Sequence, residues 1–214
     1  MGVLLASGAA AANYLAADEA QLRQAIQAAN ADGDPSSSIT LTGNIALAST
    51  TAFPAFSKPV TIATGGFTLS GLDSNTATGG SLSFGAGAQL TTSGTLRGGN
   101  SNQAPAGGGR PGGGAGVTLS NGSMTNVGAV SGGIGGASFQ SNAGAGGAGV
   151  SLTDSTLLNQ GSLTGGNGGQ GDAASGFAFA SARSAGTGGT GLAMSGGSLD
   201  NRSQITGGQG GSWI

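Results

Sequence analysis

Acid–base or metal chemistry in this chain would have to draw on Asp18, Glu19, Asp32, Asp34, Asp73, Asp154, Asp172 and Asp200, because the sequence holds no His and no Cys. That composition rules out Ser-His-Asp and Cys-His nucleophilic systems. Two carboxylates flanking a glycosidic bond remain conceivable, and they would need a shared face. On a strand that means acids two positions apart. Asp32 and Asp34 have the spacing but lie in the turn Asn30–Pro35, where a helix stop explains them. Asp154 and Asp200 occupy different places in two related segments. No catalytic, cofactor-binding or metal-ligating residue is therefore assigned, no cofactor is expected, and the chain is read as not an enzyme.

Glycine accounts for 48 of the 214 residues, so glycine signatures arise by chance. The recurrent Gly-x-Gly-x-x-Gly is not followed by a strand–helix unit and does not read as a dinucleotide site. Gly168–Asp172 approaches a calcium-binding nonapeptide, with its Asp one residue early and no stacked second copy. Asn121-Gly-Ser123 and Asn201-Arg-Ser203 fit the glycosylation acceptor at the frequency composition predicts. Six basic residues against eight acidic ones give a net charge of −2. Scattered singly, with Arg97, Arg110 and Arg183 read as solubilising charges, they form no patch for a phosphate backbone, so no nucleic-acid partner is expected. With 36% apolar residues and 7% charged, disorder driven by charge is excluded too.

One segment has helical character. Asp18 can cap the helix with Gln21 three residues on, and Leu22, Ala25, Ile26 and Ala29 form one stripe before the stop at Asn30–Pro35. Beyond Pro35 the apolar period falls to two, as in Ile39/Leu41, Val60/Ile62, Val117/Leu119, Val150/Leu152 and Leu192/Met194. GAGVTLSNGSMTN at Gly114–Asn126 returns as GAGVSLTDSTLLN at Gly147–Asn159 and as GTGLAMSGGSLDN at Gly189–Asn201. Val117, Val150 and Leu192 are expected to pile in one column, and Asn126, Asn159 and Asn201 to bond to one another as a ladder. Gly65, Gly66, Gly122, Gly128 and Gly161 suit corners of positive φ. The tracts Gly98–Gly113, Gly132–Gly146 and Gly165–Thr190 read as loops leaving a base unit of about 20 residues.

The stretch ADEAQLRQAIQAANADGDPSSSITLTGNIAL and the G-x-G-V-x-L…N-x-G-x-I-x-G-G-x-G-G tail resemble the N-terminal cap and glycine-rich coils of bacterial autotransporter passenger domains and related surface adhesins. That resemblance implies an all-β fold, a right-handed parallel β-helix or solenoid, with a short N-terminal capping helix and glycine-rich loop excursions. The expected division is residues 1–17 as signal-peptide remnant or leader, 18–34 as capping helix and turn, and 35–214 as coils that continue further. The implied function is a non-enzymatic, secreted or surface-exposed Gram-negative structural domain, a rigid stalk. Its expected partners are host or neighbouring-cell surface molecules or further copies of itself, with a membrane link only through a C-terminal barrel. A polysaccharide-binding or polysaccharide-cleaving protein is the alternative, and an ice-binding array would need Thr-x-Thr in register.

Overall fold

The structure, a computed structural model, describes residues 11–75, 77–102, 111–137, 142–171 and 184–212. The described residues open with β1 (Ala12–Ala16), followed by α1 (Glu19–Ala31), the single helix among them. Short strands follow: β2 (Ser37–Leu41), β3 (Ile45–Ala46), β4 (Val60–Ala63), β5 (Thr68–Ser70), β6 (Ser83–Phe84), β7 (Ala88–Thr92) and β8 (Thr95–Arg97). The repeated segments supply β9 (Val117–Ser120), β10 (Ser123–Asn126), β11 (Ala129–Ser131), β12 (Val150–Asn159), β13 (Ser162–Thr164), β14 (Leu192–Asn201) and β15 (Ile205–Thr206).

The helix forms where the sequence places it. Gln21 N donates to Asp18 Oδ1 at 2.8 Å while Ala17 N donates to Gln21 Oε1 at 3.0 Å, a variant of the capping box in which Gln21 reaches back to the residue before the cap. Its buried residues are Leu22, Ala25, Ile26 and Ala29, which lie against β1 and β2. Arg23 ties the outer face down by donating to the carbonyls of Thr51 and Ala52 and lying over the Phe53 ring. Phe53 in turn stacks on Phe84, with ring centroids 5.0 Å apart.

Two parallel sheets make up the rest. One is a curled sheet of nine strands whose path runs β1-β2-β4-β7-β10-β12-β9-β6, with β14 also on β12. The other has six strands in the order β15-β13-β11-β8-β5-β3. Alternation decides which side chains go inside: β2 reads buried at Ser37, Ile39 and Leu41, and β4 at Val60 and Ile62. The three copies are in the expected register, since Val117 pairs with Val150 and Val150 with Leu192.

The expected fold class is corrected on two counts. The chain is a parallel-sheet α/β structure, a curled sheet of half-barrel form, a second parallel sheet and one helix, and not the all-β, right-handed parallel β-helix or solenoid of like coils. The physical reason lies in β12. This ten-residue strand pairs with β9 through Val150–Thr153 and with β10 through Thr156–Asn159, so the sheet divides there into two arms. One arm leads back through β10 and β7 to β1, the other through β9 to β6.

The second correction concerns the glycine-rich loop excursions, whose described parts are packed and hydrogen-bonded. Gly132–Ala137 and Gly165–Gln170 read G-G-x-G-G-x, and in both the glycines are buried while the x positions face outward. A burial period of three is the one that a three-residue-per-turn polyproline II backbone would give. Backbone bonds then cross from segment to segment: Gly114 N to Gly99 O, Gly133 N to Gly114 O, Gly147 N to Gly133 O, Gly166 N to Gly147 O and Gly189 N to Gly166 O, all at 2.8–2.9 Å. A buried peptide group needs a partner, and here other peptides supply it. Glycine is required because a Cβ on Gly133 would sit 2.6 Å from the carbonyl carbon of Gly99, and one on Gly166 equally close to that of Gly133.

Of the five proposed corner glycines only Gly65 (φ 59) and Gly66 (φ 89) take positive φ. Gly128 and Gly161 are glycine for close approach, to the backbones of Gly94 and Gly128. The other left-handed corner is a column the sequence did not announce: Gly87 (φ 82), Asn121 (φ 50), Asp154 (φ 46) and Gly196 (φ 77). Gly87 N donates to Asn121 O, and Asn121 N to Thr153 O beside Asp154. Asn and Asp are the side chains that tolerate this conformation best.

Candidate functional site

The acids are spread along the fold, and most are spent on holding it together. Asp18 caps α1. Glu19 accepts from Arg23, Ala48 N and Ser49; although partial burial works the other way, these donors hold its carboxyl below the usual range. Asp73 lies low for the same reason, its burial outweighed by Arg97 and by Asn100 N. Asp200 is chelated by Arg202 on the surface. Asp34 accepts from Ala12 N, and Asp154 occupies the left-handed corner. Asp172, Arg110 and Arg183 lie outside the described residues, and with Asp172 goes the calcium-like motif. Among the described residues no three His, Cys, Asp or Glu side chains approach one another closely enough to hold a metal.

The densest polar cluster lies where α1 ends. Asp32 accepts from Lys58, from Tyr14 Oη at 2.8 Å and from Ser37 Oγ at 2.8 Å, while Lys58 also donates to the carbonyls of Asp32 and Asp34. The Lys58 ammonium, helped by Tyr14, Ser37 and Asp34 N, holds the Asp32 carboxyl far below its ordinary range against the effect of burial. Tyr14 is raised, chiefly because its hydroxyl donates to that carboxylate. Every partner here joins β1, the helix end, β2 and the approach to β4, so the cluster reads as a clasp.

Inside the sheets runs a second polar line. Asn126 Nδ2 donates to Asn159 Oδ1 and Asn159 Nδ2 to Asn201 Oδ1, each at 2.8 Å, which is the ladder expected from the repeats. Asn126 and Asn159 are completely buried. The line continues below as Thr92, paired with Asn126, and Thr64, whose hydroxyls meet at 3.2 Å.

Among the described residues one surface groove, of about 330 Å³, runs along the edge of the glycine layer, lined by Asn100, Ser101, Asn102, Ile134, Asn167 and Gln170 among others. Three of these residues fill the same x position after a glycine pair: Asn100 after Gly98-Gly99, Ile134 after Gly132-Gly133 and Asn167 after Gly165-Gly166. Ile134 N donates to Asn100 Oδ1 and Gln209 N to Asn167 Oδ1, both at 2.9 Å. A backbone N–H can meet only the oxygen of a carboxamide, so both amide orientations are settled. The column starts at Asp73, whose Oδ1 accepts Asn100 N at 2.7 Å. Sequence reasoning assigned no site here. The available signal was the G-G-x register, in which x is the side chain left facing out.

No known protein family, curated protein or solved structure matches this chain. The likeness to autotransporter passenger domains accordingly rests on sequence motifs alone. No described helix is long and apolar enough to cross a membrane, which says nothing of a β-barrel. The two glycosylation-type asparagines are both exposed, Asn121 at the left-handed corner and Asn201 at the end of the amide ladder, where its Oδ1 accepts from Asn159.

Proposed function

We propose that this chain is a non-enzymatic, secreted or cell-surface structural domain that presents binding surfaces on a rigid parallel-sheet frame. The observation that carries this reading is the use made of the ionisable groups: apart from Asp154, each described carboxylate is engaged in a cap, an ion pair or a backbone bond. The frame itself has the properties of a spacer. Buried carboxamide and peptide ladders run from layer to layer, and the helix covers one end.

Two measurements test it. Labelling of intact source cells with an antibody to this domain should detect it outside, and a cytoplasmic pool alone would overturn the proposal. Incubation with a panel of polysaccharides should release no reducing ends, and turnover would transfer the chain to the alternative class. The binding half of that alternative is favoured by one observation, the carboxamide groove.

A further inference from the structure

We infer that the groove beside the glycine layer binds a neutral polysaccharide, with the Nδ2 amides of Asn100 and Asn167 as its fixed donors and Ile134 as the apolar floor between them. The inference rests on the reading of the chain as a presenting domain and names the surface and the ligand class.

Preorganisation is the first ground. A surface Asn ordinarily rotates, and ordering it on binding costs free energy. Here the oxygen of each carboxamide is held by a backbone N–H of the next layer, so the amide group already points outward before any ligand arrives. Neither Nδ2 has a partner among the described residues, and the same is true of Asn102 Oδ1 and the Gln170 carboxamide. The groove thus offers two oriented donors and, at its ends, acceptors and donors that can adapt.

Spacing is the second. Asn100 and Asn167 lie two layers apart with Ile134 in the layer between, so their donors repeat at roughly 10 Å, twice the strand separation. A ligand touching both must therefore be extended and carry acceptor oxygens on successive units. Ile134, 47% exposed, offers the C–H surface on which the apolar face of a sugar ring can rest.

Charge is the third. No ionisable side chain is among the described residues that line the groove, so that lining offers neither an anionic nor a cationic polymer Coulomb attraction. An extended peptide would also find donors in such a groove. It would however need a row of alternating backbone donors and acceptors, and the groove offers two donors two layers apart, so the saccharide is the better fit.

The test uses substitutions that keep the fold. Asn167→Asp and Asn100→Asp each preserve the oxygen that accepts the backbone N–H and remove only the outward donor. Binding of the wild-type chain to immobilised neutral glucans, mannans and galactans is measured beside alginate, heparin and an extended-peptide library. The expected result is binding to at least one neutral polymer, weakened tenfold or more by either substitution, with thermal unfolding unchanged. Ile134→Asp should abolish it, and Gln170→Ala should weaken it by a smaller factor. Absence of neutral-glycan binding by the wild type would overturn the inference, as would preference for peptide or charged polymer, or binding indifferent to both Asn→Asp changes. None of these outcomes bears on surface location, which the antibody experiment decides separately.

Discussion

Replacing Gly133 with Ala examines the glycine layer most directly. The added methyl would lie 2.6 Å from the carbonyl carbon of Gly99, about 1 Å inside the roughly 3.5 Å optimum for two carbons. It cannot rotate away, being attached to the backbone, so the two segments must separate. Separation stretches the bonds from Gly133 N to Gly114 O and from Gly147 N to Gly133 O, now 2.8 and 2.9 Å. Overpacking costs about 1–3 kcal/mol. Two impaired backbone bonds add about 1 kcal/mol each, for a loss of about 3–5 kcal/mol. Gly33→Ala is the internal control: nothing lies within 4 Å of its new methyl and its φ is ordinary, so the reduced freedom of the unfolded chain should stabilise by about 0.4–1 kcal/mol. Urea titration followed by far-ultraviolet circular dichroism would measure both. Should Gly133→Ala fall within about 0.5 kcal/mol of the wild type, the tract would not be a packed layer and the reasoning would fail.

Other expectations can be checked in the same way. Asn159→Ala removes the middle of the amide ladder and takes from the buried Asn126 Nδ2 one of its two acceptors, the other being the Ser162 carbonyl, so it should cost about 2–3 kcal/mol, clearly more than Asn201→Ala at the exposed end. Leu152→Asp places an unpaired charge at a position 2% exposed and should destabilise by several kcal/mol; unchanged melting would contradict the register. Carboxyls held below their ordinary range, Asp32 foremost, contribute stability that is fully present above about pH 4 and is lost as pH falls through their folded values. Asp32→Asn should therefore lower the melting temperature at pH 7 and differ less and less from the wild type on acidification, and parallel curves would refute that assignment. Asp18→Ala should cost about 1 kcal/mol, measured as a loss of midpoint with unchanged slope.

The helix and the strand register were legible because each is written locally. Asp18, Gln21 and the stripe from Leu22 to Ala29 specify the first, and three aligned copies specify the second. The architecture was less so. Gly114–Asn126 and Gly147–Asn159 look equivalent, yet the first splits into β9 and β10 at Asn121-Gly122 while the second runs on as one strand through Asp154. What separates them is backbone continuity at a left-handed residue, and neither composition nor periodicity encodes it. The glycine tracts were misread for a different reason. Freedom of φ suggests a loose chain, but at Gly133 and Gly166 the missing side chain matters as missing volume. Once the two-in-three spacing is taken as a buried period, the outward column Asn100, Ile134 and Asn167 follows from it, and with it the groove.

A layer joined peptide to peptide also has a thermal consequence. Unfolding it exposes mostly polar amide surface, which lowers the heat capacity, whereas releasing an aliphatic core raises it. The stability of this chain should accordingly vary with temperature along a broader, flatter dome than that of an ordinary domain of its length. A frame of this kind keeps its shape as well in the cold as in the warm.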